Sequence, residues 1–234
     1  MPFHLDPPLG FQGLRPDLPV AIYRRHLPHW RQRGATYFTT FRLADSLPAA
    51  AVAELRGIRE EWEKTHPQSE SDENQARLAI ELGKIAEHWL DQGCGACLFR
   101  KPENRLILEN ALLFFDESCD EMATTARYEM GAFVIMPNHV HCLIRPLDCE
   151  DFPLERIEGS WKRHVSRKIN SANDTSGSIW FQESYDRIVR DSEHLYRCLH
   201  YIGRNPDKAG LREGEFSRWV KPEWADGGWG FRAR

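Results

Sequence analysis

The segment from Tyr128 to Arg145, YEMGAFVIMPNHVHCLIR, decides the fold. Two apolar runs rich in β-branched and aromatic residues flank the turn pair Pro137-Asn138, which is the pattern of a β-hairpin. Because side chains alternate between the faces of a strand, His139 and His141 should point to one face and Val140 to the other. The segment therefore predicts a strand pair that presents two imidazoles side by side.

Hydrophobic patterns on both sides of this hairpin predict the remaining elements. Thr36 to Leu43 is typical of a strand, and Ile179 to Val189 of one or two short strands. Helical patterns run from Pro48 towards Trp62, from Leu78 to Gly93, over 103–115, over 154–170, and from a cap at Asp191 or Ser192 to Pro206, which should end the helix or closely follow it. The order strand, helices, strand pair, helix, strand, helix predicts an α+β sandwich with an antiparallel sheet.

Composition is that of an ordinary globular chain, but the charge is unevenly distributed. The 234 residues are 41% hydrophobic and 28% charged, with a formal net charge of −4. Six arginines and one aspartate lie between Arg15 and Arg42, acidic residues dominate from Asp45 to Glu129, and residues 154–171 are basic again. The basic segments could face a phosphate backbone, although solvated helix faces give the same pattern.

Apolar runs and cysteines indicate the compartment. No run approaches the roughly 20 apolar residues of a membrane span, and the N-terminus lacks a secretory pattern, so we expect a cytoplasmic protein without membrane association. Its six cysteines should then be free thiols. Cys94 and Cys97 form a CxxC pair, but without a second ligand pair a turn is favoured over a zinc site.

The histidine pair is a candidate metal site. Imidazoles at positions i and i+2 of a strand can share one divalent ion. An HxH pair alone is weak evidence, because two histidines on one strand face are often polar surface. A protonated imidazole is not a ligand, so metal binding should weaken below about pH 6.

The last predicted helix carries a candidate nucleophile. Tyr201 and Asn205 are one helical turn apart, on the flank of the apolar stripe. A phenol, with a pKa of about 10, is a poor nucleophile at neutral pH unless a metal ion polarises the phosphate that it attacks. Tyr196 lies about 140° around the helix and Tyr185 on the preceding strand, so neither is placed as well. Taken alone, Tyr201 also fits a tyrosine at the edge of the core.

Four blocks of the sequence resemble the REP-associated tyrosine transposases, relatives of the small single-tyrosine insertion-sequence transposases in the HUH superfamily. The blocks are GATYFTTF from Gly34, FVIMPNHVHCLI from Phe133, SWK from Ser160, and IWFQESYDRIVRD from Ile179 followed by YIGRNPDKAGL from Tyr201. The resemblance covers roughly residues 34–212. MPNHVH and YIxxNPxKAGL are highly specific when they occur together.

The resemblance implies a ferredoxin-like fold and an endonuclease that acts on single-stranded or hairpin DNA during transposition and recombination. It implies that His139, His141 and Asn205 bind Mg²⁺ or Mn²⁺ and that Tyr201 forms a covalent 5′-phosphotyrosine before the strand is rejoined. Such a transesterification needs no nucleotide cofactor. Single-tyrosine relatives occur as monomers and as dimers, so both states stay open.

The extent of the match divides the chain into three parts. We expect a basic N-terminal arm over 1–33, a catalytic domain over 34–212 and a tryptophan-rich tail over 213–234. Residues 49–115 are longer and more acidic than the family core, which indicates a helical insertion whose contacts the sequence does not reveal.

Basic residues near the matched blocks are candidates for DNA phosphate contacts. We assign this role to Arg33, Lys162, Arg163, Arg167, Lys168, Arg187 and Arg190. Trp161 or Trp180 could stack on an unpaired base, although burial in the core is favoured for both.

Two other functions fit parts of the pattern. A non-catalytic DNA-hairpin-binding protein derived from a transposase would keep the basic helix and tolerate loss of the site, yet all four site residues are present. An unrelated metal-dependent hydrolase that uses only His139 and His141 would need a third ligand, and no obvious one is found in the sequence.

Overall fold

The computed structural model describes residues 5–24, 28–66, 72–117 and 126–231. Arg25, one of the six N-terminal arginines, and Cys119 lie outside these ranges. The five cysteines inside them are free thiols. No helix in the described ranges combines the length and the apolar character needed to cross a membrane.

The described chain contains seven strands and five helices of more than one turn. The strands are β1 (Ala21–Arg24), β2 (Pro28–Arg31), β3 (Tyr37–Arg42), β4 (Tyr128–Ile135), β5 (His139–Pro146), β6 (Tyr185–Ile188) and β7 (Ser217–Val220). The helices are α1 (Ala49–Thr65), α2 (Asp72–Asp91), α3 (Pro102–Leu113), α4 (Leu154–Asn173) and α5 (Ser192–Lys208). Each strand and helix predicted from the sequence is present, with two additional strand regions described below.

A five-stranded antiparallel sheet forms the centre of the fold. Its spatial order is β6-β3-β5-β4-β7. Strands β3, β4, β5 and β6 follow the ferredoxin-like order, in which the last strand lies beside the first and the third lies between the first and the second. The predicted α+β, ferredoxin-like sandwich with added helices is therefore confirmed.

Helices cover both faces of the sheet. Helices α3 and α4 pack on one face, in a core that includes Phe41, Val140 and Trp161. Helix α5 packs on the other face against Phe38 and Leu143. Alternation along β5 thus sends Val140 into the first core and directs His139 and His141 towards α5, as the sequence predicted.

Asn138 fixes the turn between β4 and β5. The side chain is fully buried, and its amide group donates to the carbonyl oxygens of Leu90 at 3.3 Å and Cys94 at 3.1 Å. The backbone carbonyl oxygen of Asn138 accepts a hydrogen bond from the Leu43 amide at 2.9 Å. These bonds tie the start of β5 to the end of α2, so the histidine strand begins at a defined place.

Residues 49–115, the predicted insertion, contain α1, α2 and α3. Helices α1 and α2 lie together beside the β6 edge of the sheet, whereas α3 packs in the core with α4. Trp89 of α2 donates from its indole nitrogen to the Glu54 carboxylate of α1 at 2.8 Å. Helix α2 packs against Tyr185 at Gly83, where an added Cβ atom would lie 3.6 Å from the Tyr185 ring. The acidic segment thus reaches the same sheet face as α5.

The N-terminal segment is not the purely extended arm that the sequence predicted. Strands β1 and β2 pair as an antiparallel hairpin. His29 and Arg31 of β2 both bond to the Asp186 carboxylate of β6, at 2.5 Å each. This hairpin is held by polar contacts with a strand that is distant in the sequence. Such contacts leave no periodic hydrophobic pattern in the hairpin itself, so the sequence did not predict it.

The tryptophan-rich tail also contains a strand that was not predicted. Strand β7 pairs with β4, and buried Trp224 and Trp229 donate to the carbonyl oxygens of Leu9 and Asp6 at 3.0 and 2.9 Å. A Cβ atom added at Gly131 would lie 2.3 Å from the Trp224 ring, so the close approach of the tail to β4 requires glycine there. The tail is pinned by aromatics, as expected, and extends the sheet.

Helix α5 continues past Pro206, contrary to the expectation that this proline marks its end. Asp191 is the N-cap, and its carboxylate accepts a hydrogen bond from the His194 amide at 2.7 Å. Pro206 lacks an amide hydrogen and so leaves one helical bond unmade, but Ala209 still donates to the Asn205 carbonyl oxygen at 3.0 Å. The last turn therefore persists and carries Lys208.

Candidate active site

The two histidines of β5 lie side by side under α5. His139 is 1% exposed and His141 is fully buried, and their ring centroids are 4.7 Å apart. Each ring is held through its Nδ1 atom, His139 by the Asn138 side-chain oxygen and His141 by the Thr40 hydroxyl, both at 2.8 Å. An imidazole fixed through Nδ1 directs Nε2 at a further partner, which is the usual arrangement of a metal-bound histidine.

Helix α5 brings Tyr201 and Asn205 to this pair. The Tyr201 ring meets His141 edge-on at 5.1 Å between centroids, and Phe38 packs against both rings. Asn205 is 1% exposed, and its side chain faces His139. Four residues that the sequence proposed as a set are thus neighbours in space, drawn from one strand and one helix.

Several polar atoms of the cluster lack partners. Among the described residues, none forms a hydrogen bond with His141 Nε2, the Tyr201 hydroxyl or either side-chain polar atom of Asn205, although all are buried. Buried polar groups are ordinarily paired, so unpaired ones call for a ligand. Two imidazole nitrogens and an amide oxygen are suitable donors for a divalent ion, and the residues therefore fit the metal that the resemblance implies.

Burial keeps the histidines neutral. It lowers the pKa of His139 to about 3 and moves the pKa of His141 well below its ordinary range, where the neighbouring His139 lowers it further. Both rings therefore carry free lone pairs at neutral pH. The limit near pH 6 that was expected from free imidazole moves to lower pH in this environment.

Helix α2 lies beside Tyr201. Asp91 forms an ion pair with Lys208 of α5 at 2.6 Å. The Glu87 carboxyl group, one turn earlier, lies near the Tyr201 hydroxyl without a hydrogen bond of ordinary geometry. Burial raises the pKa of Tyr201 above its usual value, and the charges of Glu87 and Asp91 raise it further.

The structure places the predicted DNA contacts on two sides of the sheet. Arg187 is on the catalytic face, with its guanidinium 4.8 Å from the centroid of the Phe38 ring. Helix α4 lies on the opposite face, so its residues Lys162, Arg163, Arg167 and Lys168 are not next to the histidines. Lys162 instead bonds to the Ser184 hydroxyl at 2.9 Å and to neighbouring carbonyl groups, whereas Arg163, Arg167, Lys168, Arg33 and Arg190 are exposed.

The remaining aromatic candidates are assigned by burial and contact. Trp161 and Trp180 are 2% and 4% exposed, which excludes base stacking in this conformation and confirms that both belong to the core. Tyr196 packs against Trp229 and His200 and not against His139 or His141. Tyr185 lies across from Thr40 on β3, nearer to the site than the sequence suggested.

The chain was compared with protein-family models, with named proteins and with solved structures. No protein-family model matches the chain. A Haemophilus influenzae protein that is provisionally named a REP-associated tyrosine transposase is 27% identical over 118 residues, which cover 44% of this chain and 67% of that protein. Over these residues the chain is similar to that protein. The resemblance to this family that the sequence suggested is thereby confirmed.

A solved structure is also similar to this chain. It is described as a REP-associated tyrosine transposase bound to a REP hairpin, and it aligns with 82% of this chain and 75% of its own at 16% identity. The TM-score is 0.43.

Sequence reasoning missed Glu87, Asp91 and Lys208 as neighbours of Tyr201. Glu87 and Asp91 are four residues apart on one helix face, and Lys208 follows Asn205 by three residues. Those spacings were visible in the sequence. The contact between α2 and α5 was not, because it depends on where the inserted helices pack.

In the described part of the chain, no third carboxylate, cysteine or histidine joins His139 and His141. Within the ranges that the structure describes, there is no group of three or more His, Cys, Asp or Glu side chains that could hold a metal ion. A hydrolase with such a ligand set is therefore not supported there. The favoured turn at Cys94 and Cys97 agrees with the left-handed backbone of Cys97, whose φ is 47°.

Proposed function

We propose that the protein is a DNA strand transferase that cleaves single-stranded DNA beside a hairpin or repeat and holds the new 5′ end on Tyr201. The observation that carries this proposal is the convergence of His139, His141, Asn205 and Tyr201 in one buried cluster. Three of these four side chains end in polar atoms that have no hydrogen-bond partner among the described residues. The name of the related Haemophilus influenzae protein supports repeat-associated DNA as the substrate.

In this proposal, His139, His141 and Asn205 hold one divalent ion. The ion, when bound, polarises the scissile phosphate and offsets the charge that develops on it. Mn²⁺ accepts nitrogen and oxygen ligands, whereas Mg²⁺ prefers oxygen, so two imidazoles favour Mn²⁺ at equal concentration. The Asn138 and Thr40 side chains keep the two rings in the orientation that the ion needs.

Tyr201 supplies the nucleophile for a balanced exchange of esters. The phenolic oxygen bonds to phosphorus, the bond from phosphorus to the 3′ oxygen breaks, and the DNA strand leaves with a free 3′-hydroxyl. The phenol loses one proton and the departing 3′ oxygen takes one up. One phosphodiester replaces another, so the step is reversible, and attack by a second 3′-hydroxyl rejoins the strand without a nucleotide cofactor.

The basic residues then divide by position. Arg187 lies on the catalytic face and is placed to bind a phosphate near the reacting one. The exposed cations of α4 lie across the sheet and are better placed for a duplex arm than for the cleaved strand. Arg33 and Arg190 are exposed and are proposed as further phosphate contacts.

Burial of the site favours one competing function, a hairpin-binding protein that no longer cleaves. His139, His141 and Asn205 are at most 1% exposed, and the Tyr201 hydroxyl is buried. A scissile phosphate reaches these atoms only if covering side chains move. A binding protein would use the exposed cations and keep this centre closed.

An adduct assay separates the two functions. The protein is mixed with labelled single-stranded hairpin DNA taken from repeats near its own gene, with Mg²⁺ or Mn²⁺, and the products are resolved under denaturing conditions. A strand transferase gives a protein-linked strand that Tyr201→Phe and a chelator both abolish. Tight binding of the hairpin with no adduct in either metal supports the non-catalytic protein.

A further inference from the structure

The ion pair between α2 and α5 lies next to the proposed nucleophile. Lys208 Nζ is 2.6 Å from the Asp91 carboxylate and 5.9 Å from the centroid of the Tyr201 ring. The Lys208 side chain is 56% exposed, whereas that of Asp91 is 12% exposed. The cation is thus reached from solvent, and its partner comes from the inserted segment.

One carboxylate of α2, that of Asp91, is poorly satisfied in this position. Asp91 Oδ1 is buried and has no hydrogen-bond partner among the described residues. Glu87, one turn away, lies near the Tyr201 hydroxyl without completing a hydrogen bond. A buried carboxylate with an unpaired oxygen is costly, so the contact of α2 with this centre is not optimised for stability.

A cavity lies on the surface of the protein next to Tyr201 and Lys208. It has a volume of about 500 Å³ on the surface of α5 and is lined in part by Tyr201, Asn205 and Lys208. Arg197 and Arg204 also line it, so cations outnumber the single acid in the lining, Asp207. A DNA phosphate is an anion that such a lining attracts, and it carries the same charge as the carboxylates of α2.

We propose that Lys208 binds the scissile phosphate and that Asp91 competes with DNA for it, which makes α2 an autoinhibitory cover of the site. The proposal rests on the proposed strand-transfer function. When DNA enters, the phosphate replaces the Asp91 carboxylate at Lys208 and separates α2 from Tyr201. The insertion thereby makes cleavage depend on a strand that binds well enough to displace it.

A purely structural ion pair predicts a different pattern of mutant effects. Lys208 lies in the last turn of α5, where a cation stabilises a helix on its own, and either substitution would then weaken the fold and the activity together. In the proposed competition the two residues act in opposite directions. Removing Lys208 removes a contact to the phosphate, whereas removing the charge of Asp91 frees Lys208 to make that contact.

The test compares Lys208→Ala with Asp91→Asn in the full-length chain. Binding of a single-stranded oligonucleotide is measured by fluorescence anisotropy in the Tyr201→Phe background, and the rate of adduct formation with Tyr201 intact. We expect Lys208→Ala to slow adduct formation by about tenfold or more and to weaken binding. We expect Asp91→Asn to tighten binding and to accelerate the adduct by several-fold.

A matched pair controls for loss of surface charge. Lys64 and Glu61 of α1 form an exposed ion pair at 4.0 Å on the same inserted segment. Lys64→Ala and Glu61→Gln should leave both measurements within about twofold. Melting temperatures of all variants show whether each protein is folded.

A second measurement follows α2 directly. In the Tyr201→Phe protein, the oligonucleotide should increase amide hydrogen exchange in residues 72–91, because the helix loses its contacts with α5. Unchanged or slower exchange in α2 on DNA binding overturns the proposal.

The outcomes separate this inference from the proposed function. If the wild-type chain forms the adduct and Asp91→Asn weakens binding or slows the reaction, strand transfer stands and the competition is wrong. If Asp91→Asn alone forms the adduct, both are supported. If neither the wild-type nor the Asp91→Asn protein binds DNA or forms an adduct, both fail.

Discussion

At the scale of the residue, the site depends on hydrogen bonds that aim the imidazoles. Thr40 holds His141 through Nδ1, so its hydroxyl should matter for metal binding although it touches no metal. We predict that Thr40→Val lowers Mn²⁺ affinity by about 10- to 100-fold, measured by titration calorimetry, because His141 loses the partner that sets its orientation.

The neighbouring threonine is a matched control for that substitution. Thr39 lies on the same strand but points to the opposite face, where its hydroxyl donates to the Glu158 carboxylate at 2.5 Å. Thr39→Val should lower the free energy of unfolding by about 1–3 kcal/mol because it leaves buried Glu158 short of a partner, yet keep Mn²⁺ affinity. Equal loss of affinity in both variants would mean that Thr40 acts only through stability.

At the scale of the element, a buried ionic cluster fastens the N-terminal hairpin to the sheet. His29 contacts Asp186 and Glu183, and Arg31 also pairs with Asp186. Burial alone would lower the pKa of His29, but its bonds to Asp186 and Glu183 raise it to about 9. The pKa of His29 in the folded protein therefore lies above the ordinary 6.5. The stabilisation by protonated His29 is complete below about pH 6.5 and is lost as pH rises through about 9.

His29→Gln tests this attachment. The variant should be less stable than the wild type at pH 6, and the difference in free energy of unfolding should shrink as pH rises past 9. Urea unfolding at a series of pH values measures it. A difference that stays constant from pH 6 to pH 10 would show that the charge of His29 does not hold the hairpin.

Elements with a local signal were predictable, and those held by distant partners were not. The β4–β5 hairpin follows from Pro137-Asn138 between two apolar runs, and α5 follows from its apolar stripe. Strands β1, β2 and β7 gave no such signal, because β1–β2 is fixed by ion pairs to β6 and β7 by pairing with β4. For the same reason, the sequence predicted that Tyr201 and the histidines belong to one site but did not predict that α2 would lie beside Tyr201.

At the scale of the whole molecule, the two terminal segments meet on the α5 face of the sheet. Trp224 is 2% exposed, lies against Gly131 of β4 and bonds to the Leu9 carbonyl oxygen. We propose that the arm, the catalytic domain and the tail therefore unfold as one cooperative unit. Trp224→Ala should lower the free energy of unfolding by about 3–5 kcal/mol, measured in urea.

Trp62 provides the comparison for that substitution. It is only partly buried on α1 and stacks on His66. Trp62→Ala should cost about 1 kcal/mol or less. If Trp224→Ala proves as mild as Trp62→Ala, the tail is an appendage and not part of the folding unit.

Covalent attachment of Tyr201 to DNA can be detected by mass spectrometry of the reaction products. Protein incubated with single-stranded hairpin DNA and Mn²⁺ is digested with protease and nuclease, and the peptide that contains Tyr201 is analysed. Strand transfer by Tyr201 predicts a nucleotide joined to Tyr201 through its 5′-phosphate, with a free 3′-hydroxyl on the other DNA fragment. Cleaved DNA that carries a free 5′-phosphate and an unmodified Tyr201 peptide would contradict it and indicate hydrolysis by water.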